Sequence, residues 1–131
     1  MKYLLDSHTF LWFSTDAPDL SRHAKSIILD TKVSIAVSMA SFWEISIKNS
    51  LGKLRIDTGF EALLDVANKN GFEILHVNFD HVTHVNKLPF HHRDPFDRMI
   101  IAQAIAENMD IIGVDKEFDN YLIDKPIKRI W

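Results

Sequence analysis

The chain has 131 residues, 47% of them hydrophobic, and its 15 basic and 18 acidic residues leave a net charge of −3. That length accommodates one core rather than two, so residues 1–131 are expected to form a single domain. The absence of cysteine excludes disulfides, thiolate metal sites and thiol nucleophiles. No apolar run reaches the roughly 18–20 residues of a membrane span, and Asp6 interrupts any signal-peptide core, so a cytoplasmic protein with no membrane partner is expected. The charge balance offers no global basic footprint for nucleic acid, which would have to be met by a local patch.

Tyr3-Leu4-Leu5-Asp6 is a continuous apolar run ending in an acid, the pattern of a strand buried on both faces of a parallel sheet. Ser7 is placed to cap a short helix over 9–13, and Pro18 and Ser21 open a second over 21–30. Val33 to Val37 is a second β-type run. Ser38 then caps a helix running to Leu51, with Gly52 where a terminating glycine belongs. Leu54 to Ile56 is expected to be extended, and Thr58 to cap a helix over 60–69 that Gly71 ends. Phe72 to Val77 is a third strand, and Asn78 caps a helix over 79–87 before Pro89. A helix over 94–108, a fourth strand over 111–114 ending in Asp115, and a short run over 127–131 complete the chain. Strands alternating with helices predict an α/β fold, a central parallel sheet of four to five strands with helices on both faces.

In such sheets, sites form at the carboxyl ends of strands and at the helix N-termini that follow them. Asp6 and Asp115 end the first and fourth strands. Asp94-Pro95-Phe96-Asp97 begins a helix, with Asp94 an N-cap acceptor and Pro95 at the first helical position. Ordinary capping accounts for Asp94, and Asp97 lies one turn further in. Glu44 shares a helix face with Ala40, Ile47 and Leu51, and it balances between a buried functional acid and an i,i+4 partner of Lys48. Carboxylates crowded together raise one another's pKa, and a divalent cation relieves that repulsion. All-oxygen ligands without cysteine suit Mg²⁺ or Mn²⁺, ions that promote phosphodiester hydrolysis. Lys48, Arg98 and Lys116, with Lys53, Arg55 and Arg93 nearby in sequence, are candidate phosphate contacts, although ordinary solvation competes equally. Surface placement is the expectation for the loop histidines His91 and His92. Trp12, Phe13, Phe42 and Trp43 suit a core or a subunit contact better than a base platform. There is neither a Walker-type nor a dinucleotide-binding glycine loop.

Three ordered stretches resemble PIN domains, and within them the VapC-type ribonuclease toxins of toxin–antitoxin pairs. They are Leu4-Leu5-Asp6-Ser7-His8-Thr9-Phe10-Leu11-Trp12, Ser41-Phe42-Trp43-Glu44-Ile45-Ser46-Ile47-Lys48 with Leu51-Gly52-Lys53-Leu54, and His92 to Ala104. The resemblance implies a three-layer α/β/α sandwich over 1–131. It also implies an Mg²⁺- or Mn²⁺-dependent endoribonuclease whose metal-binding and catalytic acids are Asp6, Glu44, Asp97 and the more variable Asp115. Asp94 would then be a supporting or capping acid. RNA as substrate, a homodimer, and a small antitoxin whose tail occupies the acidic groove are further implications. The rivals are a PIN-fold binding or regulatory module with little or no catalysis, and a receiver-like phosphoacceptor domain. The latter lacks the acid it would need after its third strand, where His76-Val77-Asn78 stands.

Overall fold

The computed structural model describes all of residues 1–131. Its centre is β1 (Lys2–Leu5), flanked by β2 (Ser34–Ser38) and β4 (Asp110–Ile112), with β3 (Glu73–Leu75) and β5 (Arg129–Ile130) outermost. All four pairings are parallel, in the order β3-β2-β1-β4-β5. Successive side chains on a strand face opposite ways, and both sides are buried here. Tyr3, Leu5, Ile35, Val37 and Ile112 enter one apolar cluster, while Leu4, Ala36 and Ile111 enter the other. The strands are apolar without alternation because neither face meets water.

Helices cover both faces. On the first lie α1 (Ser7–Ser14), α2 (Arg22–Leu29), α3 (Met39–Ser50) and α4 (Ala62–Lys69), which contribute Phe10, Ile28, Phe42, Ile45 and Leu63. On the second, α6 (Pro95–Glu107) and α7 (Asp119–Leu122) contribute Ile100, Ile101, Ala104, Tyr121 and Leu122. Outside α6 lies α5 (Phe79–Lys87), whose Asn78 and His81 form a reciprocal capping box. The result is the three-layer α/β/α arrangement with a parallel sheet that the alternating pattern predicts.

Several local expectations change. Asp6, not Ser7, caps α1, because its Oδ1 accepts the Thr9 N–H at 2.8 Å while Ser7 turns inward to Ser41. Leu54 to Ile56 forms no strand, since the Asn49 amide holds the Leu54 carbonyl in the loop that returns from α3. Thr58 caps nothing, and α4 starts only at Ala62, after Gly59 takes a left-handed φ of +88°. The polar stretch after Asp115 winds into a 3₁₀ turn, Lys116–Phe118, and then α7, because Phe118 and Tyr121 are pulled into the second core.

Arg98 is the largest departure. It is 4% exposed and is not part of a phosphate-binding rim. Its guanidinium donates to the carbonyls of Pro89 (2.7 Å), Val85 (3.2 Å) and Leu88 (3.3 Å), and lies 4.0 Å from the centre of the Phe90 ring. These carbonyls lie at the C-terminal end of α5 and just beyond, where the dipole favours a cation; that of Val85 also accepts the Leu88 N–H at 3.2 Å. A neutral side chain of similar length would leave the Leu88 and Pro89 carbonyls without this donor. Arg98→Met is expected to destabilise the fold by roughly 2–4 kcal/mol, measured by denaturant unfolding. A change below about 0.5 kcal/mol, the usual range for surface substitutions, would show the clamp to be dispensable.

Candidate functional site

Asp6 follows directly on the central strand. Its backbone N–H bonds the Ile112 carbonyl at 3.1 Å, and the Thr9 hydroxyl bonds that carbonyl at 3.0 Å, so β4 ends against the first turn of α1. One oxygen of Asp6 caps α1, and the other faces Gly113. A β-carbon added to Gly113 would stand 2.6 Å from Asp6 Oδ2. A side chain at position 113 would therefore displace the Asp6 carboxylate, a constraint that its place after an apolar run does not disclose. Burial holds the Asp6 carboxyl above its ordinary pKa, against the lowering effect of the Thr9 hydrogen bonds.

Glu44 comes from α3 with only 4% exposure. Its Oε2 accepts from Lys48 at 2.8 Å, so the i,i+4 pair exists, while Oε1 is buried without a hydrogen-bond partner. Glu44 is thus both buried and the i,i+4 partner of Lys48. Hydrogen bonding to Glu44 is also the main reason the Lys48 ammonium is raised above its usual pKa. Asp94 caps α6 through Oδ1, which accepts the Phe96 and Asp97 N–H groups at 2.9 Å each. Asp97, one turn in, is pushed up to about 7 by burial first, then by Asp94, Glu44, Asp6 and Asp115 in turn. The other four acids therefore all act on Asp97.

Two clefts open here and share His8. One, of about 320 Å³, is lined by Asp6, Asp97 and Asp115 with Trp12 and Val114; the other, of about 240 Å³, by Glu44, Lys48 and Lys53. Lys48 is thus at the site and Lys116 is exposed on the 3₁₀ turn beside it, whereas Arg98 points away.

The sequence profile of the PIN domain matches residues 3–122. The chain belongs to the PIN domain family. Among solved structures it is similar to VapBC2 from Rickettsia felis bound to a DNA fragment from their promoter, at 20% identity and TM-score 0.74 over 100% of both chains. VapBC-1 from nontypeable Haemophilus influenzae matches at 17% identity and TM-score 0.68 over 98% of each chain. VapBC-5 from Mycobacterium tuberculosis, of the VapBC family of toxin-antitoxin systems, matches at 18% identity and TM-score 0.66 over 98% of this chain and 97% of that one. These likenesses establish a shared fold. Comparison with curated protein sequences gave no match.

This PIN domain also brings Glu117, which its sequence motifs did not mark, to the edge. A ring nitrogen of His92 and one oxygen each of Asp115 and Glu117 converge within 4.8 Å of one another. The expectation of a surface loop histidine fails for His92, whose side chain is only 14% exposed, and holds for His91. The pairing of His92 with Tyr121, 29 residues away, gives no local sequence signal. The donor set fits a hard divalent cation: a buried Glu44 oxygen without a partner, an Asp6 oxygen over a glycine, and an Asp97 carboxyl destabilised by its neighbours.

Two outcomes follow from these charges. Because the folded pKa of Asp97 stands above its ordinary 3.8, folding takes up a proton between about pH 4 and 7. Its contribution to stability is present below that window, falls as pH rises through it, and is level above about pH 7. The full span corresponds to roughly 4 kcal/mol at most, lessened by the 23% exposure of the side chain. Metal-free protein is therefore expected to gain stability from Asp97→Asn at pH 8 but not at pH 4, with a divalent cation narrowing the gap. Parallel melting curves for the two proteins across that range would contradict the account. Gly113→Ala is expected to cost about 1–3 kcal/mol and to weaken divalent-ion binding, read by melting and calorimetry; wild-type values in both would show that Asp6 yields freely.

Proposed function

We propose that this PIN domain is a metal-dependent endoribonuclease, the toxin of a toxin–antitoxin pair. The observation that carries the reading is the set of half-satisfied carboxylates at one sheet edge, above all the buried Glu44 oxygen that has no protein partner. Asp6, Glu44 and Asp97, with Asp115, would hold Mg²⁺ or Mn²⁺. The bound ion would supply a polarised water and neutralise charge on the phosphodiester. Lys48 pairs with Glu44 Oε2 and holds that carboxylate in place. Asp94 fixes the first turn of α6 so that Asp97 faces the cleft. Lys53 and Lys116 offer cationic contacts to flanking phosphates despite the negative net charge. The His8–Trp12 ring pair, centroids 5.5 Å apart, edges the same cleft.

Partners follow from two surfaces. An apolar groove of about 490 Å³, edged by Met39, Trp43, Val77, Val85, Phe96 and Met99, leaves Trp43 63% exposed. Such a patch supports a protein contact, here a homodimer. The acidic cleft suits a cationic tail of a small antitoxin, a reading supported by the likeness to VapBC-5 of the toxin–antitoxin family. No helix is long and apolar enough to cross a membrane, which accords with action in the cytoplasm.

Purified protein is expected to cleave single-stranded RNA with Mg²⁺ or Mn²⁺ and to fall silent on chelation. Asp6→Asn and Asp97→Asn are each expected to slow cleavage on the order of 100-fold or more, the usual scale for removing one preorganised electrostatic group. Wild-type activity in either variant would overturn the assignment. Absence of both cleavage and divalent-ion binding in the native protein would instead favour a non-catalytic binding module.

A further inference from the structure

His92 is not among the acids that the motifs mark, yet a nitrogen of its ring converges with Asp115 and Glu117 and lies 3.6 Å from Asp97. The Tyr121 hydroxyl decides which ring nitrogen carries the proton. That oxygen has four polar neighbours: the His92 backbone N–H at 3.0 Å, Arg98 Nη1 at 3.3 Å, His92 Nδ1 at 3.0 Å and the His92 carbonyl at 3.2 Å. The amide and the guanidinium can only donate, and they occupy the two lone pairs of the hydroxyl. An N–H at Nδ1 would find no third lone pair. Nδ1 is therefore an acceptor that shares the hydroxyl proton with the His92 carbonyl, and the ring hydrogen sits on Nε2. That atom is buried, has no hydrogen-bond partner and lies 3.6 Å from Asp97 Oδ2. Edge-on contacts with Phe118 at 6.2 Å and the tilted Tyr121 ring at 5.3 Å hold the imidazole in place.

We propose that His92 is a positioning residue of the site: Tyr121 fixes its tautomer so that Nε2–H holds Asp97 Oδ2, leaving Oδ1 as the oxygen turned toward the other acids. The inference rests on the metal-binding reading above for its purpose, but not for its geometry. The separation exceeds a formed hydrogen bond, as is common for functional contacts before the site is loaded, and a small rotation of either side chain closes it. Histidine serves here as a donor to a carboxylate ligand, the outer-layer support that orients ligands around a metal. The alternative, Nε2 as a direct ligand together with Asp115 and Glu117, would require the proton to move to Nδ1 against the Tyr121 hydroxyl.

The test is spectroscopic first. Long-range ¹⁵N–¹H correlation of the His92 ring in metal-free protein should show the hydrogen on Nε2, and Tyr121→Phe should blur that preference into a mixture. Mn²⁺ binding, measured by calorimetry, should weaken about 10- to 100-fold in His92→Leu, the range typical of an outer-layer partner. It should return to within a few-fold of wild type in His92→Gln, whose amide can donate from the place of Nε2. An Nδ1–H tautomer in the native protein would overturn the proposal, as would a His92→Gln variant binding as weakly as His92→Leu. Zn²⁺ stripping the proton from Nε2 and coordinating it would also overturn it, in favour of direct ligation. If native protein binds no divalent ion at all, the metal reading fails while the tautomer measurement still decides the role of His92. If it binds Mn²⁺ normally but leaves RNA intact, only the ribonuclease reading fails.

Discussion

Carboxylates in an apolar setting are costly to keep charged, and the way this protein distributes that cost governs the rest of its site. Asp6, directly after β1, is 3% exposed, and Glu44, on α3, is 4% exposed. Each acid receives protein support on one oxygen only. Asp6 Oδ1 has the Thr9 amide, Glu44 Oε2 has Lys48, and Asp97 Oδ2 has His92 within reach. The second oxygen of Asp6 and of Glu44 has no such partner and stands at the same sheet edge. A structure that needed these acids only for capping or surface charge would satisfy them fully or expose them. Half-satisfaction with mutual repulsion is the state that a cation completes.

The same arrangement would let a negatively charged chain address a polyanion. The acids are concentrated in a small volume, and Lys48 is drawn in among them, held by Glu44 and by the more distant fields of Asp94 and Asp97. Lys53 and Lys116 remain outside in solvent. Negative charge at the floor and positive charge at the rim is a local pattern that a whole-chain sum of −3 does not reveal.

Much of the frame was legible from residue order. Apolar runs that end in Asp6 and just before Asp115 announce buried parallel strands, and Asp94-Pro95 marks the start of α6 to the residue. What escaped has a common physical origin. Strand adjacency and close approach are properties of the folded sheet, so the need for Gly113 beside Asp6 has no local trace. The tie of His92 to Tyr121 spans 29 positions and passes through a short helix that polarity alone concealed. Leu54 to Ile56 has strand composition, yet hydrogen bonding to Asn49 holds it as a loop. Asp6 rather than Ser7 caps α1 because the serine finds a better partner in Ser41.

Asp97 and Arg98 are neighbours in sequence with opposite destinations, and that divergence ties the site to the core. Adjacent helical positions are about 100° apart around the axis, so an acid turned to the cleft sends the next residue toward α5. Arg98 secures the carbonyls at the end of α5 and also donates to the Tyr121 hydroxyl, the atom that sets the His92 tautomer. A chain of contacts therefore runs from the α5 terminus through Arg98, Tyr121 and His92 back to Asp97. A charge placed to hold two helices together is also one of the donors that determine how the neighbouring carboxylate is met. Losing it would disturb the site without touching any acid, so position on the outer face of α6 is no guide to its importance.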